Sequence, residues 1–458
     1  MTIMQNAHRQ ETVPVEWQRG VINLIFKKGD KALCENFRGI SLLSHCGKLY
    51  SSIIEKRLRA HVEGRLGEWQ YGFRPGRSTS DLIFVMKMIM EKNWEWGRDK
   101  FALFIDMEKA FDRVPRKLLW KIMSEPPYSV PKKLIRVIRN IYSNSVSKVR
   151  KGDVETDWFN IEAGVRQGDG LSPLLFIIFM DKCIRETNPQ PNQQVLAYAD
   201  DVAVMVDTIQ ELQDAASSWL STMTNNGMSI NTAKGKTEFM YISRRREEFD
   251  VYMCDKKLHQ ANFYKYLGVV VDEGNIQETE LNARIEKYTR NFMMLYPLLK
   301  EKCIPKQVKT SIYTTILKPI LTYGAECWSL TKKTSSRLQA AEMKVLRTIR
   351  GVTRMDRLRN EQIRSDLSVK PLLREIEESK LRWYGHTKRM DDGRMAKRYL
   401  EWKPQGKRPV GRPRKRWLDG VGEALERRGI RLADVEEGRT YEDRDAWRDV
   451  VKCSPADR

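Results

Sequence analysis

Val195-Leu-Ala-Tyr-Ala-Asp-Asp-Val-Ala-Val-Met-Val206 sets two short apolar runs around a pair of carboxylates. Such runs predict two strands joined in a tight hairpin, with Asp200 and Asp201 at its tip. Alone, the pair reads first as an ordinary turn, where aspartate is common. Its context changes that reading. Upstream, Phe101-Ala-Leu-Phe-Ile105 is a continuous apolar run, consistent with a buried strand, and it ends abruptly in Asp106. Carboxylates beside buried strands are costly unless compensated, and three that converge would repel one another and shift their protonation. A pair of Mg²⁺ ions, with Mn²⁺ as a substitute, would remove the conflict, because hard cations take oxygen ligands and hold phosphates. Two such ions, about 3.5–4 Å apart, serve in-line phosphoryl transfer.

Outward from this centre, Val21 to Phe26 reads as a strand and Lys27-Lys-Gly-Asp30 as the turn after it. Lys48–Arg59 has helical spacing, a Gly-, Arg- and Pro-rich loop spans 71–80, and Asp81–Trp94 reads as a helix. Ser172-Pro173 predicts a helix start, with serine as cap and proline in the first turn. Thr208-Ile-Gln-Glu211 has capping-box spacing ahead of a helical pattern that Gly227 should stop. Strand, helix, hairpin, helix and strand in this order predict an α+β layer. From Leu281 to about Arg350 the pattern is helical, basic and aromatic, interrupted by Pro297, Pro305 and Pro319.

The 458 residues allow about three domains. Lysine and arginine total 82 against 60 acidic residues, a net charge of +22, which points to a polyanion such as nucleic acid. Within 380–417 there are 14 basic and 3 acidic residues, so a separate basic module is expected after Gly351. A hydrophobic fraction of 41% excludes a wholly disordered basic tail. The longest apolar run, Leu174 to Met180, is too short to span a bilayer, and no membrane partner is expected. Seven scattered cysteines without a CxxC pair argue against a disulfide framework or zinc module and favour an intracellular setting.

Seven motifs in order then carry a resemblance. They are Lys27-Lys-Gly-Asp30 with Asn36-Phe-Arg-Gly-Ile-Ser-Leu-Leu43; Gly72-Phe-Arg-Pro-Gly-Arg-Ser-Thr79; Phe104-Ile-Asp-Met-Glu-Lys-Ala-Phe-Asp-Arg-Val114; Gly164-Val-Arg-Gln-Gly-Asp-Gly-Leu-Ser-Pro173; Tyr198-Ala-Asp-Asp201; Gly227-Met-Ser-Ile-Asn231 with Lys234 and Lys236; and Tyr266-Leu-Gly268. The chain resembles the reverse transcriptases of non-LTR (LINE-type) retrotransposons, nearest to the RTE and Jockey-like groups. Each motif is weak singly; seven in order are specific, and they cover about residues 14 to 270.

The resemblance implies an RNA-directed DNA polymerase with a right-hand fold. N-terminal extension and fingers would occupy 1–100, palm 101–270 and helical thumb 271–350, with a basic, mostly helical nucleic-acid-binding module at 351–458. It implies that Asp106, Asp200 and Asp201 hold two Mg²⁺ ions with help from the Met107 carbonyl. Phe111 would close the sugar pocket against a ribose 2′-hydroxyl, while Asp112 would pair with a base or cap. Gln167 and Gly168 would meet the incoming dNTP and template, Arg74 and Arg77 phosphate oxygens. Lys234 or Lys236 would be general acid, and Tyr266, Leu267 and Gly268 would support the primer terminus. Gly170 departs from the family pattern, which usually has proline there.

Beyond residue 270 the likeness is looser. The basic helices would grip an RNA–DNA hybrid of template RNA and primer DNA. Gly411-Arg-Pro-Arg-Lys-Arg416 resembles an AT-hook core, whose Arg412, Arg414, Lys415 and Arg416 would contact A·T-rich DNA; a plain basic tail or a nuclear-import signal explains it nearly as well. A nuclear location is expected. Full elements of the family carry an apurinic-type endonuclease ahead of the polymerase. The chain is therefore expected to be a fragment, a truncated copy or a polymerase that uses nicks made elsewhere. The competing expectations are a decayed or co-opted nucleic-acid-binding protein without polymerase activity and, more weakly, a group II intron maturase-like enzyme.

Overall fold

The apolar run that ends in Asp106 forms the strand Lys100–Ile105, buried at every position. In the computed structural model, which describes residues 2–27, 29–406, 408–411 and 413–453, this strand is the middle of five. Their order is His259–Gln260, Glu238–Ile242, Lys100–Ile105, Asp201–Val206 and Gln194–Tyr198. Lys100–Ile105 runs antiparallel to Asp201–Val206, with Phe101 opposite Val206 and Ile105 opposite Val202. The hairpin pairs Gln194 with Met205 and Tyr198 with Asp201. Val202–Val206 is buried throughout, so both inner strands read as unbroken apolar runs instead of alternating ones.

The chain divides into two compact units: Met1–Thr79, Phe101–Phe239 and Glu248–Gln260 in the first, Ser80–Lys100, Met240–Glu247 and Ala261–Arg458 in the second. In the first unit the helix Ser172–Glu186 is apolar nearly all round and almost wholly buried, as such a helix must be. Pro173 stands in its first turn as expected, but Ser172 is not the cap. Its hydroxyl is spent on the Tyr142 phenol at 2.9 Å, in the interior. The capping box does close on the helix Ile209–Asn225. The Thr208 side chain accepts from the Glu211 N–H at 3.2 Å, and Glu211 accepts from the Thr208 N–H at 3.2 Å. Gly227, just past that helix, takes a left-handed φ of +74°.

A second sheet in this unit pairs Arg19–Phe26 antiparallel with Phe37–Leu43 and parallel with Val146–Lys151. Of the turn at 27–30 between the first two strands, Lys28 lies outside the described residues.

The second unit is mostly helical. Its core gathers Leu281, Tyr288, Phe292, Tyr313, Trp328 and Leu346 with Ile363, Leu372 and Ile376. Pro297 does not interrupt the helix Gln277–Lys300, for it falls in the last turn, where little helix is left to break. Pro305 precedes the first turn of Lys306–Ile312, where proline is well tolerated, whereas Pro319 lies inside the continuous helical run to Thr322, just after the π-helical segment Tyr313–Leu317.

The compact units cut across the four-part division expected from the sequence. Gly351 closes the helix Lys332–Arg350 with a φ of +80°, yet the chain beyond it returns to the same core. Buried Glu342 accepts from Arg364 at 2.6 Å and from the Leu372 N–H at 3.1 Å, tying 342, 364 and 372 together. Residues 80–100 join this unit because Phe84 packs edge-on against Trp383 and Trp417, with ring centroids 5.7 and 4.8 Å away. Among the described residues no helix is long and apolar enough to cross a membrane.

Candidate active site

The ladder ends with Ile105 opposite Val202, so Asp106 and Asp201 are the next residues out along the two strands, and the charge of Asp106 reaches Asp201. Residues some 95 apart in sequence thus become cross-strand neighbours. Two further contacts fix Asp106. Its N–H donates to the Thr237 hydroxyl at 3.1 Å, and its carbonyl accepts from the Asn231 N–H at 2.8 Å. The Glu108 N–H donates to the Ser229 carbonyl at 2.9 Å, which completes a bridge between Met107 and Ile230. Neither bridging hydrogen bond uses the Met107 carbonyl. The motif around Met228 to Asn231 therefore serves to hold the first aspartate in place.

Asp200 and Asp201 are both solvent-accessible, at the tip of the hairpin. Even so, the protein packed around them is the largest influence on their protonation. Burial raises the Asp200 carboxyl above its ordinary range, Asp106 raises it further, and the charge of Arg38 opposes. Asp201 is pushed up to about 6, first by burial and then by Asp200 and Asp106, against the charge of Lys236. Lys236 also forms an ion pair with Asp106 at 3.3 Å. Lys234, two residues away, is exposed.

The three carboxylates thus share one electrostatic site, but they do not stand as a closed ligand shell. Among the described residues no three His, Cys, Asp or Glu side chains are disposed to hold a metal ion as they stand. One of the three, Asp106, is paired with the ammonium of Lys236.

Around this centre, Phe111 stacks on Phe176 at 4.4 Å and 16° and meets Phe73 edge-on at 6.4 Å. Gln167 and Gly168 are pinned to the strand Phe37–Leu43. The Ser41 N–H donates to the Gln167 carbonyl at 2.7 Å, and a Cβ on Gly168, whose φ is +116°, would fall 2.6 Å from the Ser41 carbonyl oxygen. Asp112 accepts from the Gln167 amide at 3.3 Å, and the charges of Lys109 and Lys27 act on its carboxyl. Gly170 has φ outside the left-handed region, with only the Ser52 hydroxyl near its Cβ position, at 3.4 Å.

The sequence pattern described as "Reverse transcriptase (RNA-dependent DNA polymerase)" matches residues 25–271, more than half of the chain and all of the site just described. The chain belongs to this family. It is 27% identical over 413 residues to the probable RNA-directed DNA polymerase from transposon X-element of Drosophila melanogaster, covering 85% of this chain and 44% of that protein. It is 26% identical over 379 residues to the RNA-directed DNA polymerase from mobile element jockey of Drosophila funebris, covering 76% of this chain and 39% of that one. These relatives come from non-LTR elements, and the chain spans less than half of their length. A solved telomerase from Candida tropicalis shares 13% identity over 85% of this chain and 61% of that one, with a TM-score of 0.42, too distant a likeness to carry an argument.

In this chain the two arginines of the 72–79 motif turn inward. Arg74 is buried, and its guanidinium is filled by Glu63 at 2.8 Å and by the carbonyls of Gly67, Gln70 and Glu63 at 2.7, 3.1 and 3.1 Å. Arg77 is held in a fork by the Glu68 carboxylate and lies over the Tyr71 ring at 4.8 Å. Neither guanidinium is presented to a phosphate, because acidic partners eleven and nine residues earlier have claimed them. Arg74→Ala is therefore expected to lower stability by about 2 kcal/mol, since it leaves three carbonyls without this donor, while Glu63 keeps Arg59 at 3.0 Å. Urea unfolding would show this, with the nucleotide KM of the folded enzyme unchanged. Arg38, exposed on Phe37–Leu43, is the cation that sequence reasoning passed over: it lies in a motif already quoted, and its charge reaches Asp200.

Tyr266, Leu267 and Gly268 lie in the second unit. Tyr266 pairs with Val269 across a two-residue turn in which Leu267 and Gly268 both have positive φ, 46° and 81°. The Tyr323 hydroxyl donates to the Leu267 carbonyl at 2.9 Å, and Arg284 donates to that of Gly268. The basic hexamer is also built into this unit. Arg414 lies over the Trp94 ring at 4.3 Å and donates to the Gly274 carbonyl at 2.6 Å. Lys415 pairs with Glu423 at 2.6 Å and Arg416 with Asp419 at 2.7 Å. Arg412 lies outside the described residues. Arg414, Lys415 and Arg416 are thus engaged within this unit, where Trp417, buried beside them, anchors the segment through Glu91 at 2.8 Å.

Proposed function

We propose that this chain is the polymerase part of a non-LTR element, copying template RNA into DNA by adding dNTPs to a primer 3′-hydroxyl. The observation that carries the reading is the register that sets Asp106 beside Asp201, within the span matched by the family. The donor chemistry fits hard divalent cations: carboxylates only, crowded enough to raise their pKa values, beside a Met107 carbonyl not used by its bridge. Asp106, Asp200, Asp201 and that carbonyl would hold two Mg²⁺ ions. When bound, these would sharpen the attacking hydroxyl and neutralise charge on the triphosphate.

The protein's own residues supply the rest. Lys236, already drawn to Asp106, is the general acid for the departing pyrophosphate; exposed Lys234 is not. Arg38 replaces Arg74 and Arg77 as the side chain for the triphosphate. Phe111, stiffened by its stack on Phe176, walls the sugar pocket. Phe111→Val should open that wall and raise ribonucleotide use relative to deoxynucleotide use by about tenfold or more, as read from the ratio of kcat/KM values. Minor-groove contact of the hexamer with A·T-rich DNA would require Arg414, Lys415 and Arg416 to exchange their present partners for DNA. The basic second unit instead grips the RNA–DNA hybrid by its backbone, so binding should weaken steeply with salt. Priming on chromosomal DNA would place the enzyme in the nucleus.

The test is primer extension on poly(rA)/oligo(dT) with Mg²⁺. Processive dT incorporation is expected. Tight hybrid binding without incorporation by well-folded protein would favour a nucleic-acid-binding protein that has lost polymerase activity.

A further inference from the structure

The turn that presents Asp200 and Asp201 is not relaxed. Ala199, immediately before them, has a φ of +58°, a left-handed conformation that a residue with a Cβ seldom adopts. Something must hold it, and the loop Gly67–Gly72 does so. The Ala199 N–H donates to Oε1 of Gln70 at 3.0 Å, and the Gly72 N–H donates to the same oxygen at 2.9 Å. Gln70 has no exposed surface. Its main chain runs beside the strand, with the Ala197 N–H donating to the Trp69 carbonyl at 2.9 Å and the Tyr71 N–H to the Ala197 carbonyl at 2.8 Å. Gly72 lies so near that a Cβ there would meet the Ala199 nitrogen at 2.5 Å.

The loop has its own anchor. Asp181, fully buried on the helix Ser172–Glu186, accepts from the Gly67 N–H and from the Trp69 indole, both at 2.8 Å. Helix, loop and aspartate turn are thus linked in series, and one carboxamide oxygen is the last link. We propose that Gln70 is a positioning residue for the polymerase reaction: it sets the turn that aims Asp200 and Asp201, without touching substrate. This rests on reading that pair as the polymerase carboxylates.

Two variants separate positioning from folding. Gln70→Met keeps shape and loses the acceptor; Gln70→Glu keeps an acceptor oxygen. Misplacing reacting groups by about 1 Å can cost about 100-fold in rate. Gln70→Met is therefore expected to lower kcat on poly(rA)/oligo(dT) by about that factor, with KM for dTTP within about twofold. It should also weaken Mn²⁺ binding to the protein alone, followed by electron paramagnetic resonance, by about tenfold. Gln70→Glu should recover most of both. Wild-type activity and Mn²⁺ affinity in Gln70→Met would overturn the role of Gln70 and leave the polymerase reading intact. So would losses that track a fall in melting temperature and are equal in Gln70→Glu. Wild-type protein that neither incorporates dTTP nor binds Mn²⁺ would overturn the polymerase reading and this inference with it.

Discussion

Asp201→Asn is expected to lower dTTP incorporation by at least about a thousandfold, which corresponds to ~4 kcal/mol of transition-state stabilisation. The amide cannot neutralise a divalent cation, and Asp201 is a carboxylate that feels the charges of both Asp200 and Asp106. The same substitution should not destabilise the fold. The Asp201 carboxyl is pushed up to about 6, so the native state binds its proton more tightly than an unfolded chain does. That penalty is absent below the ordinary carboxylate range and fully present above pH 6. At pH 8 without divalent cations, Asp201→Asn should melt at or above the wild-type temperature while being inactive. A variant that is inactive because it unfolds early would point to a structural aspartate instead. The site trades stability for the capacity to gather cations, a common cost of function.

The second large effect belongs to Lys236. Lys236→Gln should slow single-turnover incorporation by about 10²–10⁴-fold, the span typical of lost general acid catalysis, whereas Lys234→Gln should stay within about threefold. Two roles are open to Lys236, because it pairs with Asp106 and its charge also opposes the rise at Asp201. Lys236→Arg separates them. It keeps the positive charge but gives up a proton poorly, so a proton donor predicts a rate near that of Lys236→Gln. A counter-charge alone predicts a rate near wild type. Equal losses at 234 and 236 would remove the distinction drawn from their positions.

Much of this site was legible before any coordinates. Unbroken apolar runs marked Phe101–Ile105 and Val202–Val206 as interior strands, and a carboxylate at the end of a buried strand is conspicuous because it is costly. The Thr208–Glu211 capping box was local chemistry, complete within four residues. What stayed hidden depended on partners far away in the chain. The sequence offered arginine at 74 and 77 but not the acids that would claim them, and either fate suits a guanidinium. Ser172 had the right residue type for a cap, yet a distant phenol captured its hydroxyl. Gln70 is a single amide in a loop, with no period and no charge to betray it; only the left-handed turn at Ala199 gives it a purpose. Gly351 shows the same dependence on distant partners. Composition changes there, but the core does not, since Ile363, Leu372 and Ile376 pack with Leu281 and Tyr313.

The central claim is that Asp106, Asp200 and Asp201 share bound cations. Iron(II) tests it in the intact protein, because with peroxide and ascorbate it cleaves the backbone close to where it binds. Cleavage at both 106 and 200–201, suppressed by excess Mg²⁺ and lost in Asp201→Asn, is the predicted outcome. Cleavage confined to one of these segments, or a pattern indifferent to Mg²⁺ and to the substitution, would contradict it.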